Sequence, residues 1–188
     1  MNQQPQNDKD EMQGAFNLVY VLLNGHASCL TPFLRTDFGK EAFTYSGLAA
    51  FFIILAYGSF ANSEAMWFFF LLWLLAMLRQ RIKGIQNRRN GVVVHSRYTG
   101  YPWLAWKMFP RIKDETNARG ADGLMCITVG ALLSYVDPAL GWFIGVGGVS
   151  LLFVEALTVE LTKKRLQAMR DAEIEQRDLA EHYRQGRF

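Results

Sequence analysis

The chain has 188 residues, 51% of them hydrophobic, with 20 Lys and Arg against 17 Asp and Glu and a formal net charge of +3. Mean hydropathy is only +0.03, yet charge-free apolar blocks alternate with charged ones. This segregation argues against an ordinary soluble domain, whose amphipathic elements spread charge along their length. Cys29 and Cys126 form no CxxC or Cys/His metal spacing, so neither a disulfide scaffold nor a zinc motif is indicated, and both read as free structural thiols.

Residues 1–12 are polar and read as a disordered tail. Ala15 to Leu23 has the length of a signal-peptide core, but Asp8, Asp10 and Glu11 outnumber Lys9 before it. The segment is therefore expected to be retained. Residues from Gln13 to Leu34 carry no full charge, although Asn24-Gly25 is a turn signal and Pro32 a helix stop. As a helix, Ala15 to Leu23 measures only ~14 Å against a hydrocarbon thickness of ~30 Å. Residues 13–40 accordingly read as an interfacial or re-entrant segment, with a fifth span and an outside N-terminus as the alternative.

Two apolar helical hairpins follow. Residues 41–82 hold the first, with Tyr45 to Phe60 and Ala65 to Leu78 as its arms and Ala61-Asn62-Ser63-Glu64 as its turn. Residues 121–160 hold the second, with arms Leu124 to Val136 and Leu140 to Leu157 joined at Asp137-Pro138-Ala139, a connection short enough to force antiparallel neighbours. Between them lies a basic aromatic loop, residues 83–120, whose basic character begins at Arg79. Val92-Val93-Val94 and Thr99-Gly100 suggest a short β-ribbon there, and Trp103 to Phe109 a short interfacial helix. From Thr158 the residues stay helix-forming until Gly186, so the fourth span is expected to continue as one long helix whose charged part is residues 161–188. The fold class is thus an all-α integral membrane protein: four transmembrane helices as two antiparallel hairpins, an N-terminal interfacial helix and a long cytoplasmic C-terminal helix.

The basic residues set the orientation. Ten lie between Arg79 and Arg119, seven from Lys163 to Arg187, three (Lys9, Arg35, Lys40) before the first hairpin, and none in either turn. The positive-inside rule places both termini, the loop and the charged helix in the cytoplasm, with a bacterial inner membrane as the natural home.

Chemistry is sparse. His26, His95 and His182 form no helix-borne ligand pair, and no cofactor, metal or catalytic set is expected. The strongest contact surface is the loop. Arg79, Arg81, Arg88, Arg89, Arg97 and Lys107 with Tyr98, Tyr101, Trp103 and Trp106 suit anionic headgroups or a protein partner. Nucleic acid is disfavoured because the bilayer already offers a polyanion. Gly130, Gly141, Gly145 and Gly148 read as helix-packing positions, and Glu155 as an intramembrane carboxylate. The leading expectation is a non-catalytic membrane anchor or scaffold for a cytoplasmic partner, with a homo-oligomer as the other assembly. The alternatives are a small oligomeric channel or transporter component, and then a membrane-embedded enzyme using His95 and Ser96.

Overall fold

The computed structural model describes residues 4–39, 45–92, 95–96 and 98–186, with side chains from residue 13 onward. Six helices form in chain order among the described residues: α1 (Gln4–Leu34), α2 (Tyr45–Ala61), α3 (Glu64–Arg89), α4 (Trp103–Met108), α5 (Glu115–Leu133) and α6 (Pro138–Arg184). Among the described residues there is no strand, and one isolated antiparallel bridge joins Thr36 to Tyr101. The chain is therefore all-helical. Two helices among the described residues, α3 and α6, are long and apolar enough to cross a membrane, while α2 is a shorter apolar helix. The molecule divides into two compact units, residues 1–154 and 155–188.

The N-terminal region departs most from expectation. Helix α1 begins at Gln4, inside the stretch read as a disordered tail, and passes through Asn24-Gly25 without a break. Packing explains the continuity. A Cβ on Gly25 would lie 2.9 Å from both Ala49 Cβ and Ile53 Cδ1, so this glycine lets α1 approach α2 closely rather than turn away. Pro32 sits inside α1. Proline has no N–H to offer the carbonyl four residues earlier. That carbonyl belongs to Ser28, and it accepts the Trp73 indole N–H at 3.3 Å instead. The end of the helix is also tied down, since the Gln80 amide donates to the carbonyls of Pro32 (3.1 Å) and Arg35 (2.8 Å).

Tertiary burial thus overrides both local stop signals. Ala27, Cys29 and Leu30 of α1 share a buried core with Ala50 and Ile54 of α2, Met66, Phe69 and Trp73 of α3, Cys126 of α5, and Phe143 and Leu151 of α6. The contacts also fix directions. Cys29 reaches the Ala50 carbonyl while Gly25 meets Ala49 and Ile53, so α1 and α2 run antiparallel. Ser28 pairs with Trp73, and Pro32 and Arg35 with Gln80, so α1 and α3 run parallel.

Helix α3 continues to Arg89, so the basic stretch from Lys83 to Arg89, expected in the loop, is helical. The ribbon expected from Val92-Val93-Val94 falls on residues of which Val93 and Val94 lie outside the described ones. The segment 98–101 pairs with residues 36–39, where the Thr36 N–H meets the Tyr101 carbonyl at 3.0 Å, the reverse bond is 2.6 Å, and the Gly39 N–H reaches the Tyr98 carbonyl at 2.9 Å. Lys40, Glu41, Val93, Val94 and Arg97 lie outside the described residues.

At the second hairpin, Asp137 opens α6. Its Oδ1 accepts the Leu140 N–H at 2.8 Å, its Oδ2 accepts the Ser63 hydroxyl at 2.7 Å, and Pro138 takes the first helical position. The Leu140 N–H and the Ser63 hydroxyl hold this carboxyl below the usual carboxylate range. The same contact ties the two turns together.

Helices α5 and α6 meet through glycine. A Cβ on Gly130 would fall 2.6 Å from Gly145 Cα and 2.8 Å from the Gly141 carbonyl, and one on Gly148 would fall 2.7 Å from the Gly123 carbonyl. Gly141 abuts Ser134 in the same way, whereas a Cβ on Gly145 meets nothing within 4 Å among the described residues. Gly130→Ala should therefore force the helices apart and destabilise the bundle by about 1–3 kcal/mol, the usual cost of overpacking. Gly145→Ala should be close to neutral. Unfolding of both variants in the same detergent checks this, and equal stability would contradict the close approach.

Candidate functional site

A polar layer closes the end of the 1–154 unit at which α1 stops. Arg35, the first residue beyond α1, is 1% exposed and its Nε donates to Asp122 Oδ2 of α5 at 3.0 Å; the Asp122 side chain is fully buried. Water is excluded from both charges, so each depends on the other and on nearby dipoles. The Gln80 bond to the Arg35 carbonyl adds α3 to the same cluster.

Beside this pair the chain turns sharply. Asp37 has φ 62°, a left-handed conformation that Asp adopts more readily than most residues. Its carboxylate accepts from Lys83 Nζ (3.1 Å), Asn87 Nδ2 (2.7 Å) and Thr36 Oγ1 (2.9 Å). Partial burial pushes the Asp37 carboxyl up, but the three hydrogen bonds and the Lys83 charge outweigh it and leave it below the usual carboxylate range.

The loop side of the layer is built by α5. Glu115 accepts the Tyr98 hydroxyl and Arg119 Nη2, each at 2.7 Å. Arg119 also donates to the Gly100 carbonyl at 3.2 Å and lies 5.3 Å from the Tyr98 ring centroid. Burial first, and then the Glu115 carboxylate, push the Tyr98 hydroxyl up against the pull of Arg119. Gly100 has φ 91°, and a Cβ there would meet the Phe38 ring at 2.8 Å. The position requires glycine on both grounds.

The surface residues read from sequence divide between this layer and solvent. Arg79, Arg81, Arg88 and Arg89 are exposed along the second half of α3, and Lys107 is exposed on α4. Tyr98 belongs to the polar layer. Tyr101 and Trp106 rings meet at 4.5 Å, and Trp103 is half-buried in α4. Arg97 is among the undescribed positions. Glu155 is 8% exposed. His95 is exposed and Ser96 half-buried, and their carbonyls crowd Gly39. His26 is a packing histidine: its Nε2 lies 3.1 Å from the Phe143 carbonyl, and its Nδ1 3.4 Å from Ser150 Oγ, which also donates to the Val146 carbonyl at 3.0 Å. Among the described residues no three His, Cys, Asp or Glu side chains group as metal ligands.

Arg35, Asp37, Gln80, Arg119 and Asp122 escaped the sequence reading. Asp122 borders the third apolar run, where a charge reads as the edge of a span, and Gln80 is hidden between Arg79 and Arg81. The one local signal was Arg35, a cation placed directly after the uncharged stretch that ends at Leu34.

Under the polar layer lies an apolar cleft of about 720 Å³ between α3 and α5. Phe33 and Leu34 of α1 form its back, Phe69 of α3 and Met125 of α5 its sides, and Met108 and Phe109 its rim. Thr128 brings the one hydroxyl to this lining, and it is bonded to the Leu124 carbonyl at 3.0 Å. No protein-family profile, curated protein sequence or solved structure matches the chain.

Proposed function

We propose that the chain is a multi-pass helical membrane protein of five spans that anchors a cytoplasmic protein partner and performs no catalysis itself. Several features support membrane insertion beyond the length of α3 and α6. No Asp, Glu, Lys or Arg occurs from Tyr45 to Ser63, Ala65 to Leu78, Gly123 to Val136 or Pro138 to Val154. Yet Phe52, Phe68, Leu75, Leu132, Trp142 and Val149 in those stretches are exposed. An apolar belt on that scale needs a covering medium.

The packing register supports α1 as the fifth span. His26 contacts Phe143 and Ser150, about 13 Å along α6 from its start at 1.5 Å per residue. The same distance back along α1 reaches Asn17, and Asn17 to Leu34 is uncharged. Its parallel course with α3 favours an N-terminus outside on this reading, where the acids around Lys9 suit it, with the orientation of every later span unchanged.

The observation that carries the anchoring reading lies in the 155–188 unit. Leu161, Leu166, Met169, Ile174, Leu179 and Tyr183 are each 49–71% exposed on one helix. Such residues on a helix rich in charge suit a partner that supplies the missing apolar surface. Chain purified from native membranes in mild detergent should carry a cytoplasmic protein in fixed proportion, and a chain that is always recovered without a companion counts against the reading. A second reading, an oligomeric channel or transporter component, draws on the open side of Gly145 between exposed Trp142 and Val149.

Topology has its own test. Single cysteines at Asn7, Ser63 and Ala139 should react with an impermeant thiol reagent from outside, and one at Ser96 should not. Protection of Asn7 alone would return α1 to an inside N-terminus. Labelling of Ser96 from outside would reverse the whole orientation.

A further inference from the structure

We infer that the cleft between α3 and α5 is a binding site for one anionic phospholipid, with an acyl chain in the cleft and the headgroup held by the α4 arm. The inference rests on the membrane reading and gives the lipid partner a defined seat. The lining is almost wholly hydrocarbon and thioether, and its lone hydroxyl is already bonded within its own helix. A ligand that fills it gains by burying apolar area and finds no group to bond, which describes an alkyl chain. On α5 the lining runs from Ala121 to Val129. That is about 12 Å of helix at 1.5 Å per residue, close to the depth of one leaflet of a ~30 Å core.

Its cytoplasmic end is marked by Asp122, one residue from Ala121 and paired with Arg35 in the polar layer. At the rim, lining and cationic residues alternate along the chain. Met108, Phe109 and Ile112 line the cleft, and exposed Lys107, Arg111 and Lys113 stand between and beside them. The arm is held in that shape by bonds from the Phe109 N–H to the Ala105 carbonyl (2.8 Å) and from the Ile112 N–H to the Phe109 carbonyl (3.0 Å). Three cations at headgroup level above an apolar slot complement a phosphate diester with a tail beneath it. A free fatty acid shares the tail and the negative charge, so the experiment must tell the two apart.

The test is delipidation of the full-length protein in detergent, followed by mass spectrometry of what stays bound, after exposure to an equal mixture of phosphatidylglycerol, phosphatidylcholine and oleate. The expected result is one phosphatidylglycerol per chain, enriched at least tenfold over phosphatidylcholine. Thr128→Trp, placed at an exposed lining position, should abolish retention. Met108→Trp fills the cleft from the other side and serves if the first variant does not fold. Lys107→Gln with Arg111→Gln should keep a bound phospholipid but lose the preference for phosphatidylglycerol. Retention of oleate in its place, no preference between the two phospholipids, or equal retention by the cleft-filling variants would each overturn the proposal. Resistance of the chain to alkaline extraction from membranes is measured in parallel. An integral protein without bound lipid sinks this inference alone, whereas an extractable chain sinks the membrane reading as well.

Discussion

Asp122→Leu should be among the most destabilising single changes in this protein, costing about 3–5 kcal/mol, the range for removing one partner of a buried ion pair. Arg35 would keep its charge at 1% exposure without the carboxylate it now faces at 3.0 Å. At 1.4 kcal/mol per tenfold, the folded-to-unfolded ratio should fall between a hundred- and several-thousand-fold. Arg35→Met should cost a similar amount by stranding Asp122. The double variant, Arg35→Met with Asp122→Leu, should recover most of the loss, because neither buried charge remains and the replacement side chains are apolar. Denaturant unfolding of all four proteins in one detergent forms the cycle. Additive losses in the double variant would mean that the two charges do not depend on each other, and the polar layer would have to be explained through its backbone contacts.

The pair also shows where sequence reading reached its limit. Helix type and approximate position follow from hydrophobic runs, so α2 falls within a residue of its expected core, and α6 runs unbroken to Arg184 because no Gly or Pro interrupts its charged half. The N-terminal helix departs from expectation because two local signals, Asn24-Gly25 and Pro32, point to a break. Both are answered by distant partners, Ala49 and Ile53 against Gly25 and Trp73 against the carbonyl that Pro32 leaves free. Nothing within a window of residues discloses such partners. The same holds for the polar layer, where Arg35 and Asp122 lie 87 positions apart. The pairing of 98–101 with 36–39 is likewise invisible in any window, because it depends on Gly39 and Gly100 tolerating close approach. Charges on the sequence are easy to see as surface. Which of them is drawn inside is decided by the fold.

Deleting Arg165 to Phe188 should abolish partner retention and leave the helical core intact. All the apolar residues of the 1–154 core, the polar layer and both turns lie before the cut. Five of the six exposed apolar residues on which the anchoring reading depends lie after it, with Leu161 alone remaining. The truncated chain should insert, unfold at the same denaturant concentration as the full chain, and emerge from purification without its companion. The channel reading forecasts the reverse, since conductance and assembly would survive the cut. Gly145→Leu separates the two further. A Cβ there meets no described atom of a neighbouring element within 4 Å. Loss of a purified oligomer or of conductance in liposomes, with stability unchanged, would thus report a contact with another copy. A truncated protein that keeps full biological output, together with a Gly145→Leu protein that loses it, would replace the anchor by the pore. A truncated protein stripped of its partner, beside a Gly145→Leu protein that behaves as the parent, is what the exposed apolar residues of the C-terminal helix predict.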